Sequence, residues 1–357
     1  MAKAGGVLKK AAKRYFVDAM GAMAQGLFCS LLIGTIIKTV GDLSGVAFIT
    51  EIGGFAVKMA GPAMAVAIGY ALGADPLVLF SLTAVGASAN ELGGAGGPLA
   101  VLIIAIVAAE LGRLVSKKTK IDILLTPLVT IASGVGLAAL IAKPIGTAAS
   151  WIGNAIMWAT DLQPFFMGIV VSVLVGVALT LPISSAAICA ALGLTGLAGG
   201  AAVAGCCAQM VGFAVMSFRE NKWGGLISQG VGTSMLQMGN IVKNPRIWLP
   251  PILTSAITGP LATCVFRMTM NGTPVSAGMG TCGFVGQIGV ITGWYNPSEA
   301  AVAAGAAPVA PGVFEWVGFA LICFILPAVL TWAFGLVLRK IGWIKKDDLK
   351  LSGLSRA

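Results

Sequence analysis

Stretch after stretch of this chain is apolar for about 20 residues, the length a helix needs to cross a bilayer, with few polar residues between the stretches. Of its 357 residues 57% are hydrophobic and only 10% are charged, whereas soluble domains carry about 25% charged residues. The short alternating strands of an outer-membrane barrel do not appear. The expected fold is an all-α polytopic membrane protein with about ten transmembrane helices. These are read at about 17–40, 46–72, 77–90, 98–115, 123–142, 165–192, 194–217, 225–242, 247–266 and 313–338. Residues 146–160, with Trp151 and Trp158, read as an interfacial helix, because tryptophan favours the headgroup level. A basic amphipathic segment (1–16) leads into a single transmembrane domain (17–338), and a basic tail (339–357) follows. The first apolar run, Val17 to Val40, is longer than a signal-peptide core.

A net charge of +10 does not point to nucleic acid here, because Lys and Arg fall in short clusters between apolar runs. Lys9, Lys10, Lys13 and Arg14 form one cluster, Arg113, Lys117, Lys118 and Lys120 a second, and Arg339, Lys340, Lys345 and Lys346 a third. Positive loops mark the cytoplasmic side, so both termini are expected there, in a plasma membrane. Arg219, Glu220 and Lys222 fit this scheme only if the segment after them does not cross. The seven cysteines lie mostly in apolar runs and read as buried free thiols. Histidine is absent, which removes His phosphorylation, a His proton relay and His-ligated metal from this chain. No P-loop, nucleophile elbow or cofactor motif occurs. The expectation is therefore a non-enzyme with no cofactor and no metal.

Two segments interrupt the apolar pattern with groups that hydrocarbon does not tolerate alone. Between Gly272 and Gly293 the chain reads GTPVSAGMGTCGFVGQIGVITG, with glycines at 280, 283, 286 and 289. Irregular backbone at membrane depth survives only inside protein or beside a wet cavity. This segment is read as a re-entrant hairpin in which Thr273, Ser276, Thr281 and Gln287, with Asn271 before it, face a solute. Close helix packing through small residues is the other reading. The second interruption is Ser88-Ala89-Asn90-Glu91-Leu92-Gly93-Gly94. Ionisable groups at membrane depth are functional candidates, so Asn90 and Glu91 are read as a solute or ion site or, alternatively, as an external loop. Gln209, Gln229, Ser234, Gln237 and Asn240 add amides and a hydroxyl that suit sugar-like hydroxyls, since an amide both donates and accepts. Of these, Gln209 and Gln237 join the candidate substrate-binding set, with hydrogen bonding between helices as the alternative. Glu51 and Lys58 read as an ion pair on one helix face, and Glu110 with Arg113 as a local pair.

The chain also resembles itself. GPAMAVAIGYALGADPLVLFSLTAV (61–85) aligns with LPISSAAICAALGLTGLAGGAAVAG (181–205), and LTPLVTIA (125–132) with LPPILTSA (249–256). Repeats at about 46–142 and 165–266 follow, each of four helices. A solute site at the interface of duplicated halves is a recurring transporter plan.

NELGGAGGPLA, LPISSAAI, SFRENKWGGLISQGVGTSMLQMGNI and NGTPVSAGMGTCGFVGQIG together resemble the phosphotransferase-system enzyme IIC-like membrane proteins, a group that includes PfoR-type toxin regulators. The resemblance runs from about Tyr15 to Gly342. It implies a bacterial inner-membrane protein of sugar-permease descent and a homodimer. Phosphorylating transport would need IIA and IIB partners in trans, because residues 340–357 are too few to form either. Three readings stand: a permease for a small polar solute, a membrane sensor that regulates gene expression, and a IIC subunit served by separate partners.

Overall fold

The structure is a computed structural model that describes Ala11 and residues 13–351. Residues 1–10, 12 and 352–357, much of the expected basic lead-in and the last of the tail, lie outside the described residues. The chain divides into two compact units, Met1–Ala149 and Ser150–Ala357. Helices make up nearly all of both, and the described residues contain no strand beyond a lone bridge between Gly196 and Met270.

In the first unit α1 (Lys13–Ser44) turns at Gly45 into α2 (Ala47–Lys58), which doubles back along it with Gly34 against Val57. A 45° bend leads to α3 (Ala60–Ala71). Gly73, at φ 67, turns the chain into α4 (Pro76–Gly93). The apolar stretch Pro76–Val115 is 40 residues long, enough for two crossings. It folds back at Gly94, whose φ of 51 lies in the left-handed region that a side chain resists. From there α5 (Gly97–Val115) runs antiparallel to α4, with Gly112 against Val78 and Gly97 against Asn90. The connection to α6 (Asp122–Thr160) is anchored by polar contacts. Lys117 pairs with Asp75, and its hydrogen bond holds the Asp75 carboxyl below its ordinary range.

α6 continues through Pro144 to Thr160, so residues 146–160 extend a long helix instead of forming a separate interfacial one. Glu110 does pair with Arg113, at 3.1 Å, and it also binds Arg14 at 2.7 Å. Lys58 does not pair with Glu51. Its ammonium lies 5.7 Å from the centre of the Phe55 ring.

The second unit is organised around α9 (Gly196–Met216), 16 of whose 21 residues are buried. α7 (Pro164–Thr180) runs parallel to it, with Gly176 against Gly205 and Gln209. α7 stops at Thr180, because Pro182 pushes the residue before it to extended backbone, and Leu181 has φ −70 and ψ 159. After the break, α8 (Ser185–Ala191) leads to the start of α9. The sequence reading of one helix over 165–192 is thus corrected to two helices. Pro245–Val265 forms α12, antiparallel to α7. Thr263 Oγ1 donates to the Pro164 carbonyl at 2.7 Å, and Ser172 Oγ donates to the Ser255 carbonyl, also at 2.7 Å. α16 (Val313–Lys340) packs on α9 and α12, where Thr331 Oγ1 donates to Thr254 Oγ1 at 2.9 Å.

Residues 218–243 form no single helix. They comprise α10 (Phe218–Ile227), a π-turn (Ser228–Gly232), a 3-10 turn (Ser234–Gln237) and α11 (Met238–Lys243). Both ends of this half-loop lie at the Met216 end of α9. Glu220 pairs with Arg339 at 2.8 Å, Arg339 reaches the Met216 carbonyl at 3.3 Å, and Asn244 reaches the Trp343 carbonyl at 2.9 Å. At the opposite, Gly196 end a helical hairpin enters and leaves. It consists of α13 (Pro274–Ala277), a 3-10 turn (Cys282–Phe284) and α14 (Val285–Tyr295), and α15 (Glu299–Ala303) follows it.

Among the described residues six apolar helical stretches are long enough to cross a membrane, or seven if α2 and α3 count as one span. The expected ten included segments, such as 165–192 and 225–242, that are broken here. All seven cysteines are free, five buried and two (Cys29 and Cys264) exposed.

A β-carbon at Gly205 would strike the Ser172 carbonyl, whereas one at Gly136 meets nothing. Gly205→Ala should lower stability by about 1–3 kcal/mol through overpacking against backbone. Gly136→Ala should raise it by about 0.5–1 kcal/mol through helix propensity. Fluorescence-monitored thermal unfolding in detergent measures both, and equal effects of the two substitutions would disprove the packing.

Candidate functional site

The middle of α9 is where the interruptions of the second unit meet. Cys206 sits at its midpoint, about 15 Å from either end at 1.5 Å per residue, and Gln209 lies nearly one turn further on. The tip of the 272–293 hairpin reaches this level from the Gly196 end. Gly280, at φ 52, lies against Cys206, and Gly278 lies against Ser185 at the start of α8. The half-loop reaches the same level from the Met216 end, and its π-turn packs on the hairpin's 3-10 turn at Cys282–Phe284. The break after α7 closes the ring of elements.

The polar groups at this junction are mostly uncharged. Gln209 Oε1 accepts from Thr180 Oγ1 at 3.2 Å and from Trp248 Nε1 at 2.9 Å. Thr180 Oγ1 and Ser234 Oγ lie 2.8 Å apart. Gln287 Nε2 donates to Cys207 Sγ at 3.1 Å, and Ser185 Oγ donates to the Gly278 carbonyl at 2.7 Å. Three of the six side-chain atoms that are buried without a hydrogen-bond partner among the described residues belong to elements of this junction: Gln209 Nε2, Thr281 Oγ1 and Gln287 Oε1. A buried polar atom left unpaired costs about 1–3 kcal/mol. Three within one junction of broken elements is an expensive arrangement for a merely structural core. They are one amide donor, one amide acceptor and a hydroxyl that can do either.

The other residues singled out from the sequence lie elsewhere. Asn90 and Glu91 belong to the first unit, on the last turn of α4, where Glu91 is exposed and Asn90 packs against Gly97. Gln237 is drawn away from the junction, since its Nε2 donates to Gln229 Oε1 at 2.8 Å and to the Leu349 carbonyl at 3.0 Å. Thr273 and Ser276 bond one another at 3.0 Å near the entrance of the hairpin. Asn271 lines a cavity of about 220 Å³ at the Gly196 end with Arg267, Trp294 and Glu315. Sequence reasoning passed over Thr180 and Trp248. The pair Leu181-Pro182 just after Thr180 was the available signal, because it ends a helix at that point. Trp248 offered none, since its partner is 39 positions away. Among the described residues no group of His, Cys, Asp and Glu could hold a metal ion.

No curated protein and no solved structure matches the chain. The family model "Phosphotransferase system, EIIC" matches residues 17–351, which takes in both units and every element of the junction. The chain therefore belongs to the phosphotransferase-system EIIC family, whose members are membrane-embedded permease components for sugar-like solutes.

Proposed function

We propose that the protein is a permease that binds a small, uncharged, sugar-like solute at the junction on α9. The observation that carries this reading is the trio of unpartnered buried atoms on Gln209, Thr281 and Gln287. A polyhydroxylated solute satisfies an amide donor, an amide acceptor and a hydroxyl together, because each of its own hydroxyls donates and accepts. A charged solute would find no formal opposite charge on these side chains. The hairpin and the half-loop act as re-entrant segments from opposite membrane faces, so the solute reaches one side when the hairpin moves and the other when the half-loop moves.

The internal repeat is part of the same reading. α3 and α4 join at Gly73, and α8 and α9 join at Gly193, with φ values of 67 and 60. Gly73 N donates to the Tyr70 carbonyl and Gly193 N to the Ala190 carbonyl, each at 3.1 Å or less. These positions correspond in the alignment of 61–85 with 181–205. The protein assembles as a homodimer of whole chains that depends on IIA and IIB partners in trans for any phosphorylation.

The Met216 end carries Arg219, Lys222, Lys243, Arg246, Arg339, Lys340, Lys345 and Lys346, whereas Arg267 is at the Gly196 end. Basic excess favours the cytoplasmic side, so the tail and the half-loop face the cytoplasm of a bacterial inner membrane. In a background with all seven native cysteines replaced, a membrane-impermeant maleimide added outside intact cells should label Thr269→Cys and leave Lys345→Cys unlabelled. The reverse pattern would invert the topology.

Substitution separates a ligand site from a structural polar core. Thr281→Val deletes an unpartnered hydroxyl, so the solute-free protein should melt at an unchanged or higher temperature. Thr180→Val removes a bonded hydroxyl and should cost about 1 kcal/mol. Gln287→Leu and Thr281→Val should each weaken solute binding by about 1–3 kcal/mol, read by calorimetry and proteoliposome uptake over a panel of hexoses, pentitols and hexitols. If both variants bind every solute as the parent does, the site is elsewhere.

A further inference from the structure

A second polar system in the same unit lies apart from the junction. After α16 the chain comes back against the Met216 end. Leu349 is fully buried and Leu351 is 5% exposed, while Lys350 between them points to solvent. Asn221 Nδ2 donates to the Leu349 carbonyl at 2.7 Å, and the Leu351 N–H donates to Asn221 Oδ1 at 2.8 Å. One amide thus grips both ends of a three-residue stretch. Gln237 Nε2 adds a bond to the Leu349 carbonyl, and Asn240 Nδ2 a bond to the Lys350 carbonyl, both at 3.0 Å. Asn221 lies on one arm of the half-loop, and Gln237 and Asn240 on the other. Gln229, on the π-turn between them, accepts from Gln237 at 2.8 Å and donates to Ser217 Oγ at 2.8 Å.

We propose that the half-loop 218–243 carries a binding groove for a Leu-x-Leu peptide, and that its ligand is the chain's own segment 349–351, which latches the two arms together. The contacts follow the logic of peptide recognition: main-chain hydrogen bonds supply affinity, and pockets for alternate side chains supply specificity. Without the segment, the amides of Asn221, Gln237 and Asn240 would lose main-chain partners in a buried place, and such groups are costly to leave unpaired. The π-turn held between the arms is the part of the half-loop that packs on the hairpin, so the latch bears on the junction mechanically. The groove itself stands independently of the solute reading, because it involves none of the three unpartnered atoms.

The test uses the full-length protein carrying Leu349→Asp and Leu351→Asp, which empties the groove, and a free peptide of the sequence Trp343–Leu351. The peptide should bind this variant at least about tenfold tighter than the parent, whose groove is already filled. The same peptide with both leucines changed to Asp should not bind. Equal peptide binding by variant and parent, at unchanged oligomer size, would overturn the proposal. Asn221→Ala leaves the tail sequence intact and carries the test if the double variant does not insert. Loss of two main-chain bonds should speed tryptic cleavage after Lys350 by about tenfold, and an unchanged rate would equally overturn the proposal.

Discussion

Everything in the second unit depends on backbone coming into direct contact with α9. In hydrocarbon a helix interruption is tolerated only where protein or water satisfies the freed amides and carbonyls. The Ser172 carbonyl lies against Gly205, and the Met268 carbonyl lies against Gly200. Any side chain at those two glycines would hold the neighbouring segments off by the width of a methyl group. With the segments close, Met270 can exchange hydrogen bonds with Gly196 at 3.0 and 3.1 Å, and the hairpin entrance is pinned. Small residues at helix contacts are a general device of membrane proteins. Here they also position two broken segments so that their tips meet at one depth.

That convergence explains why the junction is polar without being charged. The Ser185 hydroxyl answers one carbonyl of the hairpin, that of Gly278, at 2.7 Å, and the other amides and hydroxyls of the junction bond mainly to one another. Thr180, Ser234 and Trp248 are absorbed in this way, through bonds among themselves and to Gln209. Gln209 Nε2, Thr281 Oγ1 and Gln287 Oε1 are not absorbed. The distinction between satisfied and unsatisfied groups separates scaffold from the proposed site, and no inspection of residue type alone would have drawn it.

Much of the architecture was legible in the sequence because hydrophobic length is a strong signal. The run 194–217 became α9 almost to the residue, and the turn after Asn90 falls at Gly94, as the glycine cluster there implies. Besides residues 146–160, which continue α6, two helices were misread for definable reasons. The break at Leu181 lies inside an apolar run, so hydropathy hides it and only Pro182 marks it. Residues 225–242 alternate apolar groups with amides, which imitates an amphipathic helix. Their glycines at 225, 230 and 232 and their long-range amide bonds break them into turns. Gln237 looked like a ligand group because it lies near Asn240 on one face. The two are indeed bonded, at 2.8 Å, but both amides turn toward the backbone of residues 349 and 350, more than 100 positions onward. Such a partner leaves no local trace in a sequence.

The helix ends at the junction narrow the solute further. α7 ends at Thr180, so the negative end of its helix dipole lies at the level of Gln209, which accepts from Thr180 Oγ1. α14 begins at Val285, and its first N–H groups, the positive end, point to the same level beside Gln287. A carboxylate would gain from one end and be repelled by the other, and a cation would meet the reverse. A hydroxyl uses both, because it donates toward the carbonyl end and accepts at the N–H end. In the proposed site, opposed dipoles of this kind would favour neutral solutes with several hydroxyls, in keeping with the amide and hydroxyl chemistry of Gln209, Thr281 and Gln287 and with membership of a family of sugar-like solute carriers.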